Sequence, residues 1–412
     1  MEPTTLFIII IGILIASFVV DNILDYLNAK RFDAPVPALL NDVYDAEAYQ
    51  KSQRYKATTY RFAMLSQSVS FIAVLLFFFF DGFALVDNWV RQFSENDIIV
   101  ALLFFGIIML ASSVLSMPFS YYRTFVIEEQ FGFNKTTRAT FFTDKLKGAI
   151  MAAVIGGGLL ALIIFIYQKT GANFWWYAWI VVTVFTVFMN FFYARLIVPI
   201  FNKQTALPEG SLRDKISQYA SSVGFTLSKI FVIDGSKRST RANAYFSGFG
   251  AEKRITLYDT LIDDLSEEEI VAVLAHEVGH YKRNHIIINL IISVILTGFT
   301  LWLFSLFVNN QVLSSALGVE VASFHIGLIT FGILYTPISE VTGLLMNYLS
   351  RKFEYQADDY AAQTYQGGKL ISALKALAKN NLSNLTPHPA YVIAHYSHPP
   401  LYLRFKNILQ QD

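Results

Sequence analysis

Ser266-Glu267-Glu268-Glu269-Ile270-Val271-Ala272-Val273-Leu274-Ala275-His276-Glu277-Val278-Gly279-His280 is followed almost at once by the apolar run Ile286 to Val308. A helix able to hold a metal ion and a helix able to cross a bilayer are therefore neighbours in the chain, and this adjacency decides the fold class. Ser266 and Glu269 form a capping-box pattern, in which hydroxyl and carboxylate satisfy each other's backbone N–H groups, so a helix begins there. On that helix His276 and His280 share one face with Cβ atoms about 5–6 Å apart, within reach of one tetrahedral ion, and Glu277 lies beside them. This is the H-E-x-x-H zinc pattern. The plain alternative is an amphipathic helix with two solvated imidazoles, which the apolar neighbours Ala275, Val278 and Gly279 disfavour. Gly279 costs a helix interior about 1 kcal/mol relative to Ala, which predicts a neighbour too close to admit a Cβ.

Of 412 residues, 54% are apolar and 15% charged, and the mean hydropathy is +0.44, which fits a chain with several membrane spans rather than a soluble or disordered one. A formal charge of +1 offers no basic field, so nucleic acid is not expected as a partner. The chain has no Cys, which excludes disulfides, iron–sulfur clusters, thiolate zinc sites and a cysteine nucleophile. Any metal must be held by His, Asp and Glu.

A span needs about 20 mainly apolar residues to cross about 30 Å of hydrocarbon. Seven stretches fit: Thr5 to Leu27, Phe62 to Val86, Ile98 to Ser120, Gly148 to Tyr167, Trp175 to Phe201, Ile286 to Val308 and His325 to Leu349. The expected fold is an all-α polytopic membrane protein with a small α+β metalloprotease-like domain. Four regions follow: 1–201 with five spans, 202–285 with the metal-binding helix, 286–350 with two spans, and a 351–412 tail. The first stretch reads as a retained span, because Met1-Glu2-Pro3 lacks the Lys or Arg of a signal peptide. Gly148, Gly156, Gly157 and Gly158 allow either close helix approach or a local kink. Thr297, Thr300, Thr336, Ser339, Glu340 and Asn347 would be costly against lipid, so the last two spans should line protein or water. The runs Phe77 to Phe80 and Trp175 to Tyr177 read as membrane-interface anchors. Lys and Arg are dense in the first and third loops and sparse in the second and fourth, which places the N-terminus outside and 202–285 and the tail in the cytoplasm.

Within 202–285, Ser211 to Val223 has helical spacing. Ser228 to Ile233, Arg241 to Phe246 and Arg254 to Tyr258 read as strands, separated by the turn clusters Asp234-Gly235-Ser236 and Gly248-Phe249-Gly250. The polar loop Glu128 to Lys135 lies on the same side and is placed to cover this domain.

A catalytic zinc takes three protein ligands and an open position. The best downstream candidate is Glu354 of Glu354-Tyr355-Gln356-Ala357-Asp358, where a helix puts Glu354 and Asp358 on one face, one to ligate and one to accept a ring N–H. Alone, this spacing fits equally a solvated helix end with an Arg351–Glu354 pair. His285, His388 and His395 read as structural or peripheral, and His325 as a membrane-boundary residue. A bound zinc would lower the pKa of its water, with Glu277 as general base.

At His276-Glu277-Val278-Gly279-His280, Glu354 to Asp358, Asn243-Ala244-Tyr245-Phe246-Ser247-Gly248 and Ser397-His398-Pro399-Pro400 with Arg404, the chain resembles the integral-membrane CAAX prenyl endopeptidases, zinc metalloproteases of the gluzincin type. The resemblance extends over nearly the whole chain. It implies seven helices forming a barrel round a water-filled chamber, and one Zn2+ per chain on His276, His280 and Glu354. Glu277 would be the base, Asp358 the orienting carboxylate, and His398 with Arg404 would lie near the oxyanion. Asn243, Ala244 and Tyr245 would belong to an edge strand that pairs with extended substrate. The implied substrates are peptides or C-terminal, prenylated segments of membrane-associated proteins. The tail lacks a lysine-type retrieval signal, which suits a bacterial inner-membrane relative; a eukaryotic source would place it in the endoplasmic reticulum. The competing readings are a catalytically silent chambered scaffold or transporter, and a heat-shock-type membrane protease.

Overall fold

The computed structural model describes residues 1–225, 229–247 and 254–411. Six helical stretches are long and apolar enough to cross a membrane: Pro3–Ala29, Ala46–Phe79, Asp97–Glu128, Arg138–Phe201, His285–Ser305 and Phe324–Thr364. The fourth is broken at Gly171, whose φ of +56° ends a helix, and its two halves pack on each other. They carry the expected fourth and fifth spans. Exposed Ile8, Leu65, Leu110, Val184 and Ile295 give these helices an apolar outer face that only lipid would cover. Glu340 is also exposed in mid-span, where a carboxylate against lipid would be costly.

The labels used below are α1 (Pro3–Ala29), α2 (Ala46–Phe79), α3 (Asp97–Tyr122), α4 (Arg138–Met151), α5 (Gly157–Thr170), α6 (Phe174–Leu196), α7 (Ser211–Ser222), α8 (Glu267–Lys282), α9 (His285–Ser305), α10 (Phe324–Thr364), α11 (Gly367–Asn380), α12 (Pro389–His395) and α13 (Leu401–Ile408). α2 starts well before the expected span because its polar first half docks on the C-terminal region. Tyr44, just ahead of it, donates to Ala378 O at 2.7 Å, and Ser52 donates to Leu382 O at 3.3 Å. The second span also ends sooner than read, at Phe79. Asp81 at φ +50° breaks the chain, and Gly82–Arg91 forms a separate helix. Phe78 is buried in a cluster with Phe83 and Phe104, so this aromatic run serves packing as well as anchoring.

The glycines of the fourth span do not mediate helix approach as a group. Among them only Gly157 has a neighbour within 4 Å, Leu102, while Gly148, Gly156 and Gly158 face open space. A π-helical turn, Ala152–Gly156, joins α4 to α5.

The small domain holds a four-stranded sheet of order β1-β2-β4-β3, with β1 Gln204–Ala206, β2 Lys229–Ile233, β3 Ala244–Ser247 and β4 Arg254–Tyr258. β2 and β4 are parallel, the outer pairs antiparallel, and β3 is an edge strand. β1 is an addition to the three expected strands, and β3 starts at Ala244 rather than Arg241. Ser228 and the Gly248-Phe249-Gly250 cluster lie outside the described residues. The loop after α3 does cover this domain. Lys135 N–H donates to Arg238 O at 3.0 Å, Thr240 N–H to Phe133 O at 3.1 Å, and Arg238 pairs with Asp144 at 2.7 Å.

α8 runs through the centre of the domain, its capping box formed by Ser266 and Glu269 as the sequence predicts. Leu274, Ala275 and Val278 are buried with Ile216, Leu257 and Leu261 from three other elements. Its other side lies on α10. A Cβ on Gly279 would stand 3.0 Å from Ala357 Cα, 3.1 Å from Ala357 O and 3.1 Å from Tyr360 Cβ, so the expected close neighbour is the α10 backbone. Gly279→Ala should therefore destabilise the protein by about 1–3 kcal/mol despite Ala's better helix propensity, read as a lower unfolding midpoint in detergent. A stabilised variant would show that the two backbones are not in contact.

Candidate active site

α8 and α10 bring their polar groups together at this crossing. His276 and His280 Nε2 atoms are 3.2 Å apart, and each stands close to Glu354: His276 Nε2 at 3.4 Å from Oε2, His280 Nε2 at 3.3 Å from Oε1. A tetrahedral ion with bonds of about 2.0–2.1 Å holds its donors about 3.3–3.4 Å apart; the two Nε2 atoms are close to that spacing and each faces its own oxygen of the Glu354 carboxylate, so one ligand atom from each residue can reach a common ion. Glu354 is 4% exposed, and its Oε2 is a buried acceptor without a hydrogen-bond donor, a costly arrangement that a cation at this point relieves. Burial also rejects the solvated-helix-end alternative. Arg351 turns away from Glu354 and donates to the carbonyls of Val392 and Tyr396, at 3.0 and 2.6 Å.

Each imidazole is oriented from behind. His276 Nδ1 lies 2.8 Å from Asp358 Oδ1, and Arg404 clamps that carboxylate with Nε at 2.8 Å and Nη2 at 2.6 Å. Burial acts to lower the pKa of His276, but its contacts with Asp358 and Glu354 outweigh burial and raise it to about 9. His280 Nδ1 lies 3.0 Å from His285 Nδ1, and His285 Nε2 lies 2.8 Å from Gln356 Oε1. The consistent proton arrangement is His280 Nδ1–H donating to His285 Nδ1 and His285 Nε2–H donating to Gln356, which leaves His280 Nε2 free for a cation. His285 is further fixed by stacking on Phe353 at 4.1 Å. The sequence reading had classed His285 as structural or peripheral; here it touches a candidate ligand. Its position at the mouth of the sixth span, beside the motif, was the available signal.

Glu277 follows His276 on α8, and burial raises its carboxyl pKa against the opposing pull of His276 and His280. A carboxylate tuned upward is suited to proton transfer near neutrality. His398 and Arg404 contact different oxygens of Glu354. His398 Nε2 is 3.3 Å from Oε1 with an accessible ring, whereas Arg404 Nη1 is 3.7 Å from Oε2 and the residue is 8% exposed. Surrounding protein lowers the His398 pKa, favouring the neutral ring, and Ser397 Oγ at 2.9 Å from Nδ1 suits a tautomer with its N–H on Nε2. Arg351, through Tyr396, anchors the turn that carries His398.

β3 lies against α8. Ala244 pairs with Leu257 and Tyr245 with Thr256, so the opposite edge of β3 has no strand partner among the described residues. Asn243 caps the strand start: its carbonyl accepts from Tyr258 N–H at 3.0 Å, and its Oδ1 from Ala244 N–H at 2.9 Å. Just upstream, Arg241 donates to the Tyr55 hydroxyl and to Glu128 Oε2 at 3.0 Å, which ties the approach to β3 to α2 and the loop after α3.

Known proteins are similar to this chain along nearly its whole length. The family model described as CAAX prenyl protease N-terminal, five membrane helices, matches residues 25–203, and that of peptidase family M48 matches 206–412. A CAAX prenyl protease 1 homolog from Arabidopsis thaliana is 37% identical, with 98% of this chain and 97% of that protein aligned. CAAX prenyl protease 1 from Saccharomyces cerevisiae is 35% identical over 96% of this chain and 93% of its own length. The crystal structure of S. mikatae Ste24p superposes with a TM-score of 0.93 at 35% identity, covering 99% of this chain and 100% of that one.

His285→Leu removes the acceptor behind His280. Loss of such a supporting partner costs about 10–100-fold in metal affinity. Competition of the purified protein against a chelator should show a fall of that size, and unchanged metal retention would mean that the His280–His285 contact does not orient the ring.

Proposed function

The chain belongs to peptidase family M48 among the CAAX prenyl proteases, membrane-embedded metalloproteases, and from that premise we propose how its residues divide the work. His276, His280 and Glu354 would hold one Zn2+; the carrying observation is that their donor atoms converge, the two Nε2 atoms 3.2 Å apart and each within 3.4 Å of one oxygen of Glu354. When bound, the ion supplies a water of lowered pKa and polarises the scissile carbonyl. Glu277 would serve as the general base, taking up a proton during attack and passing it to the leaving amine, for which its burial-raised pKa is suited. His398, accessible and with its Nε2 turned to the site, donates to the developing oxyanion. Arg404, spent on Asp358, acts behind the site: it holds the carboxylate that orients His276. Asn243, Ala244 and Tyr245 present the free edge of β3, and pairing along it satisfies a substrate backbone whatever its side chains.

The substrate is a peptide or protein, and the relatives' names support C-terminal, prenylated segments of membrane-associated proteins as the natural class. The alternation of Lys and Arg between loops supports an N-terminus outside, with the metal site and tail at the cytoplasmic face.

Glu277→Gln keeps the size and polarity of the side chain but removes the base. Turnover should fall about 10²–10⁴-fold while bound zinc stays at one per chain by elemental analysis. Product mass spectrometry on a farnesylated C-terminal peptide beside its unmodified twin tests the substrate class. Preferred cleavage of the farnesylated form is expected, and equal cleavage would remove the prenyl group from the account.

A further inference from the structure

A groove of about 510 Å³ lies between the C-terminal half of α10, α12 and the start of α13. Pro387, Pro389, Pro399 and Pro400 line it with Val392 and Leu403. Proline has no N–H, so this wall offers a ligand few hydrogen bonds and selects an apolar one. Ile393 and Leu403 are exposed at its edge, apolar side chains that no part of the protein covers.

The groove continues an apolar stripe of the last span. Val341, Leu345, Tyr348 and Lys352 recur at i, i+4, i+7 and i+11 on one side of α10, and all are exposed. This side lies about 100° round the helix from Glu340. Tyr348 and Lys352 also line the groove. They stand about 36 and 42 Å along α10 from Phe324, at 1.5 Å per residue, and a bilayer with its headgroups is about 40–45 Å thick. An α10 held at one surface thus brings them to the headgroups of the other. Tyr is favoured at that depth, and a Lys side chain, tilted back toward the helix N-terminus, reaches down to the phosphates.

The charges at the rim decide the kind of lipid. No carboxylate lines the groove among the described residues. Arg351 is spent on the carbonyls of Val392 and Tyr396, whereas Lys352 makes no ion pair among the described residues. A free ammonium at headgroup height beside an apolar groove matches a phosphodiester with an acyl chain attached. The groove is also joined to the metal site. Pro399 and Pro400 directly follow His398, Tyr355 directly follows Glu354, and all three line it.

We propose that this groove binds one anionic phospholipid, its chain against the prolines and its phosphodiester on Lys352, and that the lipid braces the turn carrying His398. The lipid site stands by itself; the brace rests on the peptidase reading above. Native mass spectrometry of the full chain released from nanodiscs of equimolar phosphatidylcholine and phosphatidylglycerol tests the site. The wild type should retain one phosphatidylglycerol, favoured about fivefold over phosphatidylcholine. Lys352→Gln should remove that preference and Lys352→Arg keep it. Equal retention of the two lipids by the wild type, or a preference that survives Lys352→Gln, overturns the site and the brace together. So does displacement of the retained lipid by a farnesylated peptide, which would assign the groove to the substrate's own chain. For the brace, kcat on a peptide should be higher in the mixed nanodiscs than in phosphatidylcholine alone, with KM little changed, and Lys352→Gln should lose the difference. A retained phosphatidylglycerol that leaves kcat unaltered overturns the brace alone. Hydrolysis in neither lipid by the zinc-loaded wild type overturns the peptidase reading and the brace with it, while retention still decides the site.

Discussion

With Ala357 Cα 3.0 Å from where a Gly279 Cβ would be, α8 and α10 meet backbone to backbone, and the geometry of the site follows from that approach. Two imidazoles on one helix can converge on an ion by local spacing alone. The third donor cannot, because Glu354 belongs to another helix and must arrive within about 3.4 Å of both rings. A methyl group between the helices would hold the carboxylate back by a few tenths of an ångström or tilt it. That is comparable with the tolerance of a metal–ligand bond, about 0.2 Å. The glycine's propensity cost of about 1 kcal/mol is therefore the lesser of two costs.

One turn of α10 carries most of what the contact needs. Glu354 faces the two rings, Gln356 accepts from His285, Ala357 gives the close approach, and Asp358 accepts from His276. The two imidazoles are thus oriented from the helix that supplies the third donor, so a shift of α10 moves donor and orienting groups together. Arg404 from α13 and Arg351 from α10 add the C-terminal region to the same unit. Arg404 neutralises the buried Asp358, and Arg351 pins the turn before His398. Buried charge at Asp358 is tolerable because the Arg404 guanidinium neutralises it, whereas Glu354 keeps Oε2 without a donor and depends on a cation shared with the two rings.

What the sequence disclosed follows the range of the interaction. The capping box, the His276–His280 spacing, the Glu354–Asp358 spacing and the strands β2 and β4 are local, and each was legible with small errors at its ends. Gly279 was legible as a demand for closeness, though not as a contact with Ala357. His285 was misread because its role depends on Asn284, whose φ of +59° turns the chain between α8 and α9 and returns the ring beneath His280. The break at Asp81 was hidden inside an apolar run for the same reason, one left-handed residue. β1 is three residues long and has no alternation to detect. The place of His398 near Glu354 came only through resemblance, since a long-range contact leaves no periodic trace.

The length of α10 explains why a hydrolytic site can coexist with a bilayer. Its N-terminal end is fixed by a buried set: His325 lies 2.7 Å from Asp87, and Asp87 is 2.7 Å from Arg91, which donates to Ser323 at 2.6 Å. From Phe324 to Glu354 the helix rises about 45 Å at 1.5 Å per residue, and a tilt of about 20° shortens that by only a few ångströms. The hydrocarbon layer is about 30 Å thick. If one end of the helix is held near one surface, Glu354 stands clear of the lipid beyond the other. Water, which hydrolysis consumes, is available there, while α9 and α10 continue directly into the membrane below. The fixed helix length thus sets a water-consuming site at the rim of a lipid-spanning shell.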